Sequence, residues 1–226
     1  MRIASFDIGK KNFAFYIEEF DEKAIESLKS ITNGYNEDGT ITEEMKELLD
    51  QIYMNGKTIL HKNVDITQNC DKKAYLDPET YYNMKDVLES HIKDFETCSV
   101  FLIEQQMQFG RFKNNTMAQK LGQHCYSYFV YKFGREKEVV EFPAYHKTQV
   151  LGAPKIPGKP YKNGRERWKS MTKPNRKKWS VSKAKEILEK RGEIDVLKEL
   201  TTVKKKDDLA DTLTQLQAYK YLTFVK

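Results

Sequence analysis

Two short apolar runs, each reaching an acidic residue at its end, constrain the fold of this chain more than any other feature. Residues 2–8 (RIASFDI) contain Asp7, and residues 99–104 (SVFLIE) end at Glu104. Continuous apolar runs of this length are typical of buried β-strands. Residues 12–20 alternate between apolar and polar side chains and predict a second strand that follows a short turn.

The rest of the chain predicts helices and strands in turn. A third strand is expected at residues 24–31, and residues 33–76 show no clear periodicity. Further along, the pattern predicts a helix starting at Asp77-Pro78, a helix over 114–133, a strand over 139–142, a helix over 180–190 that continues at 194–200 after a break near Gly192, and a last helix over 207–224. Strands followed by alternating helices and strands favour a mixed α/β layer fold.

Four carboxylates stand where such a fold can bring them together. Asp7 and Glu104 end predicted strands, and strand ends in an open α/β sheet meet in a common crevice. Asp208 and Asp211 are three residues apart on the last predicted helix, so they share one helical face. A set of four carboxylates suits Mg²⁺ or Mn²⁺. Two such ions about 3.5–4 Å apart can activate a water and stabilise the leaving oxygen of a phosphodiester.

Each acid also has an ordinary structural explanation. Asp7 is able to begin a turn, Glu104 to form a salt bridge at a strand end, and Asp207 and Asp208 to complement the positive end of a helix dipole. The metal-site hypothesis therefore depends on the joint pattern of two strands and one helix that all carry acids.

The charge of the chain is concentrated in one segment. Residues 146–179 hold eleven Lys and Arg residues against one acid, so this segment carries +10 in a chain of net charge +6. Four of the six prolines also lie there, which predicts a long loop. The aromatic residues Tyr161, Trp168 and Trp179 interleave with the cations, a pattern that suits stacking on unpaired bases. A solvated linker, or an import-type basic run at residues 175–178, is the alternative.

Composition excludes several other classes. No stretch approaches the roughly 20 apolar residues of a membrane span, and the N-terminus meets charged residues too early for a secretory signal. The three cysteines lack metal-ligand spacing and cannot all pair, so a reducing, cytoplasmic location is expected.

The motifs taken together resemble the RuvC-like Holliday junction resolvases of the RNase H-like superfamily, above all those of poxviruses and other large DNA viruses, and the related fungal mitochondrial enzymes. The resemblance is carried by SFDIGKKNFAF at 5–15, FLIEQQ at 101–106 and KKDDLADT at 205–212, and more weakly by YHKTQVLG at 145–152 and KKWSVSKAKEIL at 177–188.

This resemblance implies one RNase H-like domain over residues 1–226, with a mixed β-sheet flanked by α-helices on both faces and a basic loop insertion at about 146–179. It also implies a homodimer that nicks paired strands of a four-way DNA junction with Mg²⁺, for which Mn²⁺ is expected to substitute. The viral likeness further implies a viral factory in the host cytoplasm.

Site residues follow from the matching motif positions. The four acids of the family fall on Asp7, Glu104, Asp208 and Asp211, with Asp207 as a competitor for Asp208. Lys147 and Lys178 match basic positions near the scissile phosphate, where Lys177 competes with Lys178.

Further residues are expected to contact DNA. The cations Lys10 and Lys11 follow Gly9, which lets backbone approach closely, although an ordinary exposed turn explains them equally well. Phe109 and Phe112 flank Arg111 in a plausible wedge at a branch point, with core packing as the alternative. In the basic segment, the expected DNA contacts are Lys162, Arg165, Arg167 and Trp168.

A dimer seam and two other functions stay open at this point. The small residues Ala118 and Gly122 permit close helix approach either between two copies or within one chain. An actin-like or sugar-kinase phosphotransferase shares the early fold and an Asp-x-Gly loop, but the chain has no second glycine-rich phosphate loop. A non-catalytic module that binds branched nucleic acid would use the basic segment alone.

Overall fold

A five-stranded mixed sheet lies at the centre of the protein. The structure is a computed structural model that describes residues 1–71, 73–106 and 116–226. The strands of this sheet are β1 (Arg2–Asp7), β2 (Phe13–Phe20), β3 (Gly56–Val64), β4 (Val100–Gln105) and β5 (Glu138–Pro143). They lie in the order β3-β2-β1-β4-β5. The pairs β1–β2 and β2–β3 are antiparallel, whereas β1–β4 and β4–β5 are parallel.

Helices cover both faces of the sheet. They are α1 (Glu22–Glu26), α2 (Glu43–Met54), α3 (Pro78–Ser90), α4 (Ile92–Glu96), α5 (Thr116–Phe133), α6 (Tyr145–Val150), α7 (Lys173–Arg191), α8 (Ile194–Thr202) and α9 (Lys206–Phe224). A short hairpin of β6 (Ile156–Pro157) and β7 (Trp168–Lys169) projects between α6 and α7. The predicted fold class, a mixed sheet flanked by helices on both faces, is confirmed.

The alternation of side chains along the strands separates two hydrophobic cores. Ile3 of β1 and Leu102 of β4 face the core that contains α2, α7 and α9. Phe6 and Phe101 face the opposite core, which is rich in phenylalanine and contains α3, α4 and α5. Successive side chains of a strand point to opposite faces of the sheet. Once one residue is assigned to a face, the face of every other residue in that strand follows.

The last helix, α9, is buried along most of its length. Its apolar stripe of Leu209, Leu213 and Leu216 is buried as the sequence predicts. Several of its polar side chains are buried too, and three of them are hydrogen-bonded to the sheet: Gln217 and Lys220 donate to Glu18, and Gln215 donates to Ser5 Oγ at 3.1 Å. These bonds fix the position of α9 across β1 and β4, since a buried polar group is costly without its partner.

A buried ionic cluster joins β2, α7 and α9. Glu18 and Lys220 are both fully buried, with Lys220 Nζ at 2.7 Å from Glu18 Oε1. Arg191 Nη2 lies 2.9 Å from Glu18 Oε2, and the Tyr16 hydroxyl and the Gln217 amide each donate to that oxygen at 2.7 Å. The charges of Arg191 and Lys220 outweigh the effect of burial and lower the pKa of Glu18 to about 2. The carboxylate therefore stays ionised inside the core.

Three segments differ from the description that the sequence supports. The strand expected at residues 24–31 is wrong, because the Asp21 side chain caps a helix at Ala24 N and α1 forms instead. Residues 33–76, which gave no pattern, contain α2 and β3.

The third correction concerns residues 146–179, which do not form one long loop. They include most of α6, the β6–β7 hairpin and the start of α7. Pro174 does not interrupt α7, because it lies in the first turn, where a missing N–H costs nothing. Trp179 of α7 is partly buried and packs against the core, whereas the sequence suggested base stacking for it.

Candidate metal centre

The sheet register places Asp7 beside Glu104. In the parallel pair β1–β4, Phe6 lies opposite Ile103, so the next positions on the two strands are neighbours. Asp7 shares the α9-facing side of β1 with Ile3, and Glu104 shares the same side of β4 with Leu102. The two carboxylates therefore meet at the carboxyl ends of adjacent parallel strands, which is where α/β folds place their sites.

Helix α9 brings a third carboxylate to the same place. Ligand atoms of Asp7, Glu104 and Asp211 all lie within 4.8 Å of one another. The Ser180 hydroxyl of α7 donates to Asp211 Oδ1 at 2.6 Å and fixes the orientation of that carboxylate. We call Asp7, Glu104 and Asp211 the acidic cluster.

One ammonium group enters the acidic cluster. Lys147 Nζ lies 3.2 Å from Glu104 Oε2 and 3.1 Å from Asp211 Oδ2, and its side chain is only 9% exposed. Burial alone would lower the pKa of Lys147, but the charges of Glu104, Asp211 and Asp7 raise it above its ordinary value. Lys147 is therefore charged, and it neutralises one of the three negative charges.

The cluster remains short of positive charge. Burial raises the pKa of Asp7 well above its ordinary value, and the neighbouring Glu104 adds to the rise. Burial also raises the pKa of Glu104, with Asp211 adding to the rise. Carboxylates that resist ionisation because of burial and mutual repulsion are the groups that a divalent cation stabilises.

Asp208 lies close to the cluster without joining the group of three. Burial and the charge of Asp207 raise the pKa of Asp208 to about 6, and its charge acts on Asp7. Asp208 Oδ2 is buried and has no hydrogen-bond partner among the described residues. Its competitor Asp207 is paired with Lys177. The donor set and this unpartnered oxygen fit a divalent ion, with Asp208 rather than Asp207 as the further ligand.

The second predicted lysine is placed less favourably. Lys178 is exposed, whereas Lys177 is half-buried and lies against Asp207. The structure therefore favours Lys177 over Lys178 as the basic residue of α7 near the acids. Sequence reasoning missed Ser180, although its position three residues after Lys177 puts it on the same helical face.

The residues expected to contact DNA lie in two regions. Lys11 is exposed, and Lys10 Nζ donates to the carbonyl of Tyr75 at 3.4 Å. Arg111, with Phe109 and Phe112, lies outside the described residues.

The other expected contacts are on the β6–β7 hairpin. Its tip, residues 158–167, exposes Lys162, Arg165 and Arg167, while Trp168 is half-buried. Arg167 also lies over the Tyr161 ring, at 5.6 Å from its centroid. The hairpin thus carries a projecting group of cations.

The small residues of α5 serve internal packing. Ala118 is buried, and a Cβ added at Gly122 would lie 3.9 Å from Ile8 Cγ1. Both positions are already buried within one chain. They therefore give no support for a dimer seam on this face of α5.

Comparison with known proteins identifies viral relatives. No protein-family model matches the chain. It is 36% identical over 230 residues to the uncharacterized protein 170L of Invertebrate iridescent virus 6, covering 97% of this chain and 89% of the relative. It is 30% identical over 233 residues to the uncharacterized protein 97L of Invertebrate iridescent virus 3, covering 96% and 98%.

Solved structures share the fold at low sequence identity. The Holliday junction resolvase of fowlpox virus superposes with a TM-score of 0.53 at 15% identity over 98% of this chain and 99% of that chain. The complex of fowlpox virus resolvase with its Holliday junction DNA gives 0.52 at 18% identity over 98% of both chains. The yeast mitochondrial Holliday junction resolvase Ydc2 gives 0.53 at 13% identity over 96% of this chain and 77% of that one. The fold predicted from the resemblance is confirmed.

Proposed function

The chain belongs to the family of the iridescent virus proteins 170L and 97L, and we propose that it is a divalent-metal-dependent endonuclease that resolves four-way DNA junctions. The observation that carries this proposal is the acidic cluster with Lys147 at the carboxyl ends of β1 and β4. Its fold is that of the fowlpox virus and yeast mitochondrial resolvases.

The proposed ligands are Asp7, Glu104, Asp208 and Asp211, and Asp7 would be shared if two ions were bound. When bound, Mg²⁺ or Mn²⁺ would supply activation of water and stabilisation of the leaving oxygen. Ser180 holds the carboxylate of Asp211 in its orientation.

Lysines supply the fixed positive charge of the proposed site. The Lys147 ammonium lies among the carboxylates, where it is placed to stabilise negative charge that develops on a phosphate. Lys177, or Lys178 beside it, would serve the phosphate from the α7 side.

Resolution of a junction needs two symmetric cuts, and a homodimer supplies two active sites. The described residues of one chain contain one such cluster.

DNA contacts are assigned to Lys10 and Lys11 and to the hairpin cations Lys162, Arg165 and Arg167 with Trp168, and Arg111 stays a prediction. No helix among the described residues is long and apolar enough to cross a bilayer. A viral factory in the host cytoplasm is the proposed location.

The decisive test is incubation with a synthetic four-way junction in MgCl₂ and in EDTA. Paired nicks at opposing positions, seen only with the metal, are expected. Asp7→Asn should abolish cleavage while junction binding persists, because one negative ligand near the phosphates is lost. Asp86→Asn, an exposed position on α3, is the matched control and should cut normally.

Three results would contradict the proposal. Cleavage by Asp7→Asn at the wild-type rate would remove the assigned metal site. ATP binding without any nicking of branched DNA would favour the phosphotransferase, and junction binding without nicking would favour a non-catalytic module.

A further inference from the structure

A cavity beside the acidic cluster has no part in the proposed cleavage chemistry. Its volume is about 380 Å³, near the lower end of the range of about 300–1,000 Å³ for small-ligand sites. Its lining comes from three parts of the chain: residues 35–39, residues 146–176 and residues 221–226. Most of its wall is thus formed by the basic segment.

The wall of this cavity is fixed by specific contacts. The Tyr35 hydroxyl donates to the Val150 carbonyl at 2.9 Å, across the end of α6. The backbone N–H of Lys155 donates to the Asp38 carbonyl at 2.6 Å. Gly39 adopts φ +81° there, and a Cβ at this position would lie 3.0 Å from Lys155 Cε. The loop of residues 35–39 therefore holds the start of the basic segment in place.

The chemistry of the lining selects an anion with an apolar body. Lys155, Arg176 and Lys226 line the cavity, and none of the described residues in the lining is acidic. None of these three cations forms a salt bridge to a described residue, although the charge of Lys155 acts on Asp38 and that of Arg176 acts on Glu104. Tyr35 and Met171 supply apolar and aromatic surface. A nucleotide has both parts, a negative phosphate and a flat base that stacks on aromatic rings.

The cavity adjoins the acidic cluster through two helices. His146 lines it and is the neighbour of Lys147 in α6. Arg176 lines it from α7, one helical turn before Ser180, which contacts Asp211. The charge of Arg176 also acts on Glu104, so the cavity and the acidic cluster adjoin through this side chain.

We propose that this cavity receives one unpaired nucleotide of the DNA strand that is cut, next to the scissile phosphate. Its base lies against Tyr35 and Met171, and its phosphate faces Lys155 and Arg176. Because the cavity holds a single nucleotide, it sets the sequence at which the chain cuts. This inference rests on the proposed nuclease function and gives the basic segment a role in sequence preference.

The test uses junctions that carry the fluorescent base 2-aminopurine at each nucleotide around the mapped cut, with wild-type protein in EDTA. One position is expected to show an unstacking signal on binding. Ser170→Trp places a large ring in the cavity from an exposed lining position and should remove that signal. It should also reduce the ratio of cleavage rates between the most and the least favoured sequences by about fivefold or more. Ser30→Trp, an exposed serine outside the lining, is the matched control.

A second variant keeps the test decisive if Ser170→Trp does not fold. Lys155→Gln removes an exposed charge and keeps the first carbons of the side chain that lies against Gly39, and it should weaken the 2-aminopurine signal at the same position. The cavity assignment would be overturned, and the nuclease proposal would stand, if two results came together. The wild-type protein would cut the junction with no 2-aminopurine signal at any position, and Ser170→Trp would keep the wild-type sequence preference. The assignment would also be overturned if the protein bound free deoxynucleoside monophosphates but no junction position showed a 2-aminopurine signal. Failure of the wild-type protein to bind or cut junctions would instead defeat the proposed function.

Discussion

Lys147 should stabilise the metal-free protein, and Lys147→Met tests this with little change in side-chain volume. Each of its two contacts, at 3.2 Å and 3.1 Å, is worth about 5 kcal/mol of Coulomb attraction at an effective dielectric constant of about 20. Desolvation of the ammonium offsets several kcal/mol of this gain. Removal of one partner from a buried ion pair costs about 3–5 kcal/mol, since the other charge is left uncompensated. We therefore expect the free energy of unfolding in EDTA to fall by about 3 kcal/mol.

A divalent ion should restore most of this loss, because it supplies the missing positive charge. Ligand at about 100 times its Kd adds about 2.7 kcal/mol to the stability of a folded protein. Urea unfolding of wild type and Lys147→Met, in EDTA and in MgCl₂, measures both effects. The gain from the metal should be larger in the variant, where no ammonium competes for the carboxylates.

Lys177→Met is the matched control. Its lysine pairs with Asp207 outside the acidic cluster and its side chain is 40% exposed, so the expected loss is below about 1 kcal/mol. If Lys147→Met unfolds at the wild-type urea concentration in EDTA, Lys147 does not compensate the cluster and the reasoning is refuted.

Three further predictions concern the core, the acid response and DNA binding. Glu18→Gln leaves Arg191 and Lys220 buried without their carboxylate, and urea unfolding should show a loss of about 3–5 kcal/mol. Burial lowers the pKa of His61 to about 4. Between pH 6.5 and 4, His61 is therefore protonated in the unfolded chain but not in the folded chain. Stability should therefore fall by about 3 kcal/mol as the pH drops through this window, and His61→Leu should flatten that slope. If the slope persists in His61→Leu, another group causes it. Finally, glutamine at three exposed hairpin cations should reduce the slope of log K for junction binding against log salt by about 0.9 for each lost phosphate contact, and an unchanged slope would place the DNA elsewhere. The cations are Lys162, Arg165 and Arg167.

The sequence predicted four of the five strands, and it predicted that Asp7, Glu104 and Asp211 lie close together, for a physical reason. Asp7 and Glu104 end continuous apolar runs, and a parallel sheet aligns such ends without help from the rest of the chain. Asp211 follows from helical periodicity once α9 is recognised. One prediction failed for a local reason, and the other features that the sequence missed depend on contacts that are distant in sequence. The strand expected at 24–31 gave way to α1 because a cap at Asp21 competes with weak periodicity.

The buried ionic cluster was invisible in the sequence. Glu18 is a charged residue in a strand whose side chains alternate between apolar and polar, a pattern typical of a solvent-facing position. In the structure it is fully buried. Its partners are 173 and 202 residues away along the chain, at Arg191 and Lys220. The role of Ser180 was hidden for the same reason, since only the packing of α7 on α9 brings its hydroxyl to Asp211. Charge pairs between distant segments leave no local pattern.

The position of α9 explains why its carboxylates stay close despite their repulsion. Near its N-terminus, His61 Nε2 lies 3.2 Å from the Leu209 carbonyl. In the middle, Gln215 donates to Ser5 of β1, and near the C-terminus Lys220 is bound by Glu18. A helix held to the sheet at three levels cannot rotate or slide to move Asp211 away from the strand ends.

The cost of this arrangement is unfavourable ionisation, which appears as the raised pKa values of Asp7 and Glu104. Three carboxylates and one ammonium leave a charge of about −2, which one divalent ion neutralises. Because the anchors lie outside the acidic cluster, the geometry of the ligands persists in the absence of the ion. Loosening one anchor should therefore weaken metal binding without touching a ligand. Gln215→Leu removes the bonds to Ser5, Phe6 and Leu102 and puts an apolar side chain of similar size in their place. Calorimetric titration with Mn²⁺ should show weaker binding to this variant, and wild-type affinity would mean that the anchors do not organise the site.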